Sequence, residues 1–342
     1  MRAMLLHKTG NMIENKTPLT LVDIPIPVPK EKEILVKVSA CGLCHTDMDE
    51  IEGRTPPERF PMILGHQVIG RVESSGKIAQ RFQPGERVGI AWIHSACGQC
   101  RFCQNGQENL CVHFKATGRD APGGYAQYTT VNEKFAYRIP TIFSDAQAAP
   151  LLCAGAVGFR SLRLANMTNG KVLGFYGFGA SAHLVIQAAR YSYPDAKLYV
   201  FARNKAEQKF SMDFKATWAG DIEATPPTKM DVVIDTTPVW RPIVMALKHL
   251  NPGGRVVINA IRKEEIDKKW LLNLDYTQHL WQEKEIKSVA NITREDVSQF
   301  LKVASNIPIK PKIQEFALKD ANDALNEIKT GKIKGAKVIV MG

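Results

Sequence analysis

The chain has 342 residues, enough for about two domains of ordinary size. Its composition of 44% hydrophobic and 23% charged residues and its mean hydropathy of −0.18 exclude a disordered chain, which lacks the apolar surface to offset ordering entropy. The formal charge of +11 is spread in ones and twos, as at Lys268-Lys269, and reads as a solvated basic surface.

Taken in chain order, the first twenty residues carry Arg2, His7, Lys8, Glu14 and Lys16 and no unbroken apolar core, so a cytoplasmic protein without a secretory signal is expected. Residues 34–39, Ile-Leu-Val-Lys-Val-Ser, read as a strand. Cys44-His45-Thr46-Asp47 follows, and His66 lies in Leu-Gly-His-Gln-Val-Ile-Gly over 64–70.

Four of the seven cysteines fall within fifteen residues: Cys97, Cys100, Cys103 and Cys111. Two-residue spacers let neighbouring thiolates turn toward one ion, and four sulfurs leave no position open for a substrate. This predicts a structural zinc site in a lobe too small for its own core; a set of reduced surface cysteines or an iron–sulfur cluster fits the same spacing. Arg101 is the only Lys or Arg between Cys97 and Cys111, so no nucleic-acid partner is expected. The odd count in a long chain argues against a disulfide scaffold.

Cys153 sits in the apolar run Pro-Leu-Leu-Cys-Ala-Gly over 150–155. Cys44, His66 and Cys153 together make a three-ligand set, the composition of a catalytic zinc site with one open position. Their separation means that the chemistry alone does not select them: singly, His66 reads as a structural histidine and Cys153 as core. The wider stretch 146–164 is the most apolar of the chain, but Pro150, its glycines and Arg160 interrupt it. It does not reach the roughly 20 apolar residues of a membrane span, so no membrane partner is expected.

From residue 171 the pattern changes. Residues 171–176 read as a buried strand, followed by Gly177-Phe-Gly179-Ala-Ser-Ala182 and a helical run over 183–190. This is a glycine-rich strand-to-helix turn of the GxGxxA form. Gly177 permits the tight turn, Gly179 lets a pyrophosphate approach the helix N-terminus, and Ala182 allows close helix packing. Strands at 197–201, 231–235 and 255–258 and a helix at 205–214 complete an alternating pattern that implies a parallel doubly wound sheet. The second strand ends in Phe-Ala-Arg203-Asn204-Lys, with no carboxylate to repel a 2′-phosphate and a guanidinium fork to bind one. NADP(H) is therefore expected in preference to NAD(H). Near the end, an amphipathic helix over 320–329 and a strand over 337–340 are predicted.

These motifs occur in one order: CGxCHTD, GHxxxG, CGxCxxC with a fourth cysteine, LLCAG and the glycine turn. In this the chain resembles the zinc-dependent alcohol dehydrogenases of the medium-chain dehydrogenase/reductase family, over nearly its whole length. The resemblance implies an α/β protein: a Rossmann dinucleotide-binding domain plus a β-rich GroES-like catalytic domain. The catalytic domain is expected over 1–153 and 291–342, the cofactor domain over 154–290, and the active site in the cleft between them. The resemblance further implies that Cys44, His66 and Cys153 hold a catalytic zinc and Cys97, Cys100, Cys103 and Cys111 a structural one. It places Thr46 on the substrate oxygen, Asp47 behind the ligand histidine, His45 toward the cofactor pyrophosphate and Trp92 in the substrate-pocket wall. A small alcohol or aldehyde is the implied substrate, and a homodimer or homotetramer the implied assembly.

Two positions depart from the family pattern. Gln67 follows the ligand histidine where glutamate is common, leaving the metal site one charge more positive. Asp49 stands where a proton-relaying histidine is frequent; either it relays the proton itself, or water and the ribose hydroxyl do so without it and Asp49 is only a solvated loop residue. A non-catalytic NADP(H)-binding protein of the same fold is the alternative function.

Overall fold

Strand Glu33–Leu43 is buried along nearly its whole length because it has neighbours on both edges. It pairs antiparallel with Gln67–Ser75, Tyr128–Asn132 and Ala336–Val340, within a seven-stranded sheet that also holds Arg87–Ile90, Ala136–Arg138 and Ile313–Ala317. A smaller sheet joins Leu19–Asp23, Arg2–Leu6 and Met62–Ile63. Ile34, Val36, Val38, Val68, Val88, Ile90 and Tyr125 share one core. Helix Ala321–Lys329 adds Ala321, Ala324, Leu325 and Ile328 to it, a helical apolar stripe. The computed structural model describes residues 1–307, 309–331 and 335–342. These elements belong to a unit formed by Met1–Ala156 and Asn291–Gly342.

The second unit is Val157–Ala290. Its strands are β1 (Val172–Tyr176), β2 (Lys197–Phe201), β3 (Trp218–Gly220), β4 (Met230–Asp235), β5 (Leu250–Ile258) and β6 (Glu285–Ser288). They form one parallel sheet in the order β3-β2-β1-β4-β5-β6. Helices α1 (Ala182–Ser192) and α2 (Lys205–Asp213) follow β1 and β2, and α3 (Arg241–Lys248) precedes β5. Alternate strand residues face opposite cores. Leu173, Phe175, Leu198 and Val200 lie with Val185, Ile186 and Ala189 of α1, whereas Tyr176, Tyr199 and Phe201 lie with Ile243 and Leu247 of α3. Burial of both faces explains why the central strands read as continuous apolar runs. This is the Rossmann strand order, with its switch point between β1 and β4. Among the described residues no helix is long and apolar enough to cross a membrane.

Candidate active site

Register brings the first two candidate ligands together. Strand Glu33–Leu43 runs antiparallel to Gln67–Ser75 with Gly42 opposite Gln67. The chain just beyond Leu43 therefore lies beside the chain just before Gln67, and Cys44 Sγ stands 3.3 Å from His66 Nε2. Gly65 makes this approach possible: its φ is +92°, and a Cβ there would lie 2.4 Å from the Tyr125 ring. Cys153 arrives from a third direction, after the capped helix Asp145–Ala148 and the 3-10 turn Ala149–Leu152. The ligand atoms of Cys44, His66 and Cys153 all lie within 4.8 Å of one another.

Asp47 completes this group. Cys44 caps helix His45–Ile51, and Asp47, three residues on, accepts a hydrogen bond from the Cys44 backbone N–H at 2.8 Å. Its Oδ2 also accepts from the Tyr125 hydroxyl at 2.9 Å, and its Oδ1 faces His66 Nδ1 at 3.4 Å. His66 and Asp47 are fully buried. The hydrogen bond from Cys153 and the neighbouring His66 outweigh burial and hold the Cys44 thiol well below the usual range. The same bond, together with burial, pushes Cys153 well above it. Burial lowers the His66 pKa, but Cys44, Cys153 and Asp47 outweigh it and hold the imidazole well above its usual value. Two sulfurs and one nitrogen, with the second histidine nitrogen facing a carboxylate, are a donor set that fits zinc.

The four-cysteine lobe is a separate constellation. The sulfurs of Cys97, Cys100, Cys103 and Cys111 lie within 4.8 Å of one another, with Cys111 Sγ 3.5 Å from Cys97 Sγ. Backbone N–H groups of Gln99 and Cys100 lower the Cys97 thiol to about 6, while burial raises Cys103 to about 12. Glu108, in the turn leading to Cys111, accepts bonds from the Arg294 backbone N–H and Nε at 2.7 and 2.9 Å, tying the lobe to helix Arg294–Asn306.

In the second unit the glycine turn lies at the carboxyl end of β1. Gly177 has φ +84°, and a Cβ there would lie 2.8 Å from Thr236 Oγ1. A Cβ on Gly179 would meet nothing within 4 Å, so the backbone there is open to a ligand. Ser181 makes no side-chain cap on α1, and Ala182 is buried. An uncapped helix start beside an open glycine fits a pyrophosphate. His183 Nδ1–H donates to the Gly179 carbonyl at 3.1 Å, and burial lowers its pKa to about 4, keeping it neutral.

Two expectations need correction or refinement. A carboxylate of α2 does stand beside the end of β2: Glu207 Oε1 lies 3.4 Å from Arg203 Nε and accepts from Asn204 Nδ2 at 2.9 Å. Helical spacing returns a residue three or four positions later to the same face, which the strand-end tripeptide does not reveal. Asn204 caps α2, accepting from the Glu207 N–H at 2.8 Å. Asp49 is not a solvated loop residue; it is 8% exposed, on helix His45–Ile51, and paired with Arg54. Arg54 also bonds Glu52 at 2.6 Å. Thr46 and Trp92 are buried, whereas His45 is exposed at the helix start. The Trp92 ring lies 5.1 Å from Phe114 and under the Arg119 guanidinium, and its Nε1 has no hydrogen-bond partner among the described residues.

Sequence reasoning missed Tyr125 and Glu50. The adjacent glycines before Tyr125 were a usable signal: a Cβ on Gly123 would lie 2.2 Å from the Gly65 carbonyl oxygen. Glu50, one turn beyond Asp47, is fully buried with neither carboxylate oxygen hydrogen-bonded among the described residues. Nothing in its sequence context marks it.

A parallel sheet with a glycine turn at its switch point is the arrangement of dinucleotide-binding folds, and the other unit carries two separate cysteine-containing ligand clusters. The family of alcohol dehydrogenase GroES-like domains matches residues 30–141. A probable alcohol dehydrogenase, AdhA, of Mycobacterium tuberculosis is 39% identical over 329 residues, covering 95% of this chain and 93% of its own. The fold is shared with a Helicobacter pylori CAD complexed with NADP(H), at a TM-score of 0.87 and 20% identity over 99% of this chain and 97% of that one. It is shared equally with a cobalt- and zinc-bound alcohol dehydrogenase of Pyrobaculum aerophilum, at a TM-score of 0.86 and 22% identity over 99% of both chains. The chain belongs to the zinc alcohol dehydrogenase family of medium-chain dehydrogenases/reductases and is an oxidoreductase of that family.

Proposed function

We propose that this chain is a zinc-dependent alcohol dehydrogenase that interconverts small alcohols with aldehydes or ketones and prefers NADP(H) to NAD(H). The observation that carries the reading is the convergence of Cys44, His66 and Cys153 in front of Asp47. The bound groups supply Lewis-acid polarisation of the substrate oxygen and hydride exchange at the nicotinamide.

The chain's own residues do the rest. The Cys44 and Cys153 sulfurs and the His66 nitrogen hold the ion, and Asp47, anchored by Tyr125, orients the His66 ring. In alcohol oxidation Thr46 Oγ1 accepts the proton of the substrate hydroxyl as it releases its own toward solvent, and in carbonyl reduction the same transfer runs in reverse. Trp92 bounds the pocket and favours small primary alcohols or aldehydes. The Gly177–Gly179 backbone holds the pyrophosphate, and Ala182 lets α1 pack closely. The Arg203 side chain, 65% exposed, takes a 2′-phosphate in place of Glu207, with Asn204 beside it. Cys97, Cys100, Cys103 and Cys111 hold a second, structural zinc. None of the seven cysteines is joined in a disulfide, which suits a reducing cytoplasm, and a homodimer or homotetramer is the proposed assembly. Because cells usually keep the NADP pool reduced, carbonyl reduction is the proposed direction.

An activity screen of alcohols and aldehydes with both cofactors in both redox states, with zinc quantified in the same sample, tests this. The reading expects aldehyde reduction with NADPH faster than with NADH. A protein that binds NADPH but turns over no substrate is instead the non-catalytic binding protein.

A further inference from the structure

The second unit contains a buried ion pair that no step above uses. Asp235, the last residue of β4, is fully buried, and the Lys263 side chain is 7% exposed. Lys263 Nζ donates to Asp235 Oδ2 and to the backbone carbonyls of Thr237 at 2.8 Å and Val239 at 2.9 Å. Three acceptors saturate an ammonium group, which has three N–H donors. The other carboxylate oxygen, Asp235 Oδ1, accepts from the Thr237 N–H and hydroxyl at 3.2 and 2.8 Å. Together the two side chains fix the path of residues 236–239.

That loop borders the glycine turn. Thr236 Oγ1 donates to the Tyr176 carbonyl at 3.1 Å, and Thr236 and Thr237 are the side chains a Cβ on Gly177 would strike. The end of β5 joins the same assembly: the Asn259 N–H donates to the Asp235 carbonyl at 2.7 Å, and Asn259 Nδ2 to Ser181 Oγ at 3.3 Å. In this strand order a dinucleotide lies across the switch point with one mononucleotide half on each side. The adenosine ribose belongs at the end of β2, where Arg203 stands. The β4–β5 side is left for the nicotinamide half.

We infer that Lys263 and Asp235 are positioning residues for the nicotinamide half of the cofactor, holding loop 236–239 in the shape that half binds against. The inference rests on the dinucleotide reading above. A merely structural pair would stabilise the unit without distinguishing the two halves of the ligand, and the halves can be probed apart.

The test measures equilibrium binding of NADPH and of adenosine 2′,5′-bisphosphate, which lacks the whole nicotinamide half, to the full-length protein by titration calorimetry. The proteins compared are the wild type, Lys263→Met and the double variant Asp235→Asn/Lys263→Met. The double variant matters because Lys263→Met alone leaves a buried carboxylate without its cation and can fail to fold. The expected result is NADPH binding weakened tenfold or more in the folded variants, with adenosine 2′,5′-bisphosphate bound within twofold of wild type. Unchanged NADPH binding in the double variant, or an equal loss for both probes, overturns the positioning role. If the wild type binds neither probe, the dinucleotide reading itself fails and the inference falls with it.

Discussion

Asp47 and His66 face each other in a fully buried arrangement, Oδ1 to Nδ1 at 3.4 Å, while the opposite ring nitrogen of His66 points at Cys44 Sγ at 3.3 Å. The carboxylate is fixed from its other side by the Cys44 backbone N–H and the Tyr125 hydroxyl. Such an outer carboxylate sets the ring's tautomer and raises its basicity as a ligand. Asp47→Asn is therefore expected to lower metal affinity or kcat by roughly 10- to 100-fold with little loss of fold. Chelator competition and steady-state kinetics on one preparation check this; wild-type values for both would remove Asp47 from the site. Tyr125→Phe should give a smaller effect in the same direction.

The four-cysteine lobe predicts a different phenotype. Cys97→Ala should lose one metal ion and lower Tm by roughly 10 °C or more, because the ion stands in for a core. Metal analysis with thermal unfolding checks it. Iron in place of zinc would reassign the lobe to a cluster; unchanged Tm would remove its structural role.

Arg203 and Glu207 set up a competition at the end of β2. At 3.4 Å, with the Arg203 side chain exposed and that of Glu207 partly so, the pair is weak, so a 2′-phosphate with two charges can displace the glutamate. Arg203→Ala is expected to raise KM for NADPH about tenfold, the equivalent of about 1.4 kcal/mol, with little change for NADH. Glu207→Gln should lower KM for NADPH. An Arg203→Ala enzyme with an unaltered ratio of kcat/KM for the two cofactors contradicts the assignment.

Glu50 gives a pH-dependent prediction. Burial, reinforced by the Asp47 carboxylate, pushes its carboxyl well above the usual range, against a partial offset from His66 and Arg119. The folded chain thus holds this proton more tightly than the unfolded chain. Its contribution to stability is fully present below the ordinary glutamate range and is lost as pH rises from there toward the raised folded value. Glu50→Gln cannot ionise, so its Tm relative to wild type should climb between pH 5 and pH 8. Denaturation of both proteins across that range checks it, and a constant difference would mean that Glu50 does not titrate as described.

Legibility tracked burial and locality. Strands β1 and β2 were readable because both faces are covered, so Val172–Tyr176 carries no charge and Lys197–Phe201 is buried and uncharged after its exposed first residue. Helix Ala321–Lys329 was readable because one stripe is buried. Strand β6, Glu285–Ser288, was not: it lies at the sheet edge, exposed at all four residues, with no apolar pattern to detect. Strand β3, Trp218–Gly220, is too short for a period to show. In the candidate site the motifs named residue types, but the meeting of Cys44 with His66 depends on the register of two strands, which spacing does not specify. Tyr125 reaches Asp47 across 78 positions of sequence. Glu207 lay four residues beyond Arg203, yet its return to that side chain depends on where α2 begins.

The central claim is that Cys44, His66 and Cys153 share one zinc ion, independent of the cysteine lobe. Metal content per folded chain, measured for wild type, Cys44→Ala and His66→Ala, tests it most directly. The account predicts two zinc ions per chain in the wild type and one in each variant, with turnover lost and the fold retained. Equal metal content in all three proteins, or full activity in Cys44→Ala, would contradict it.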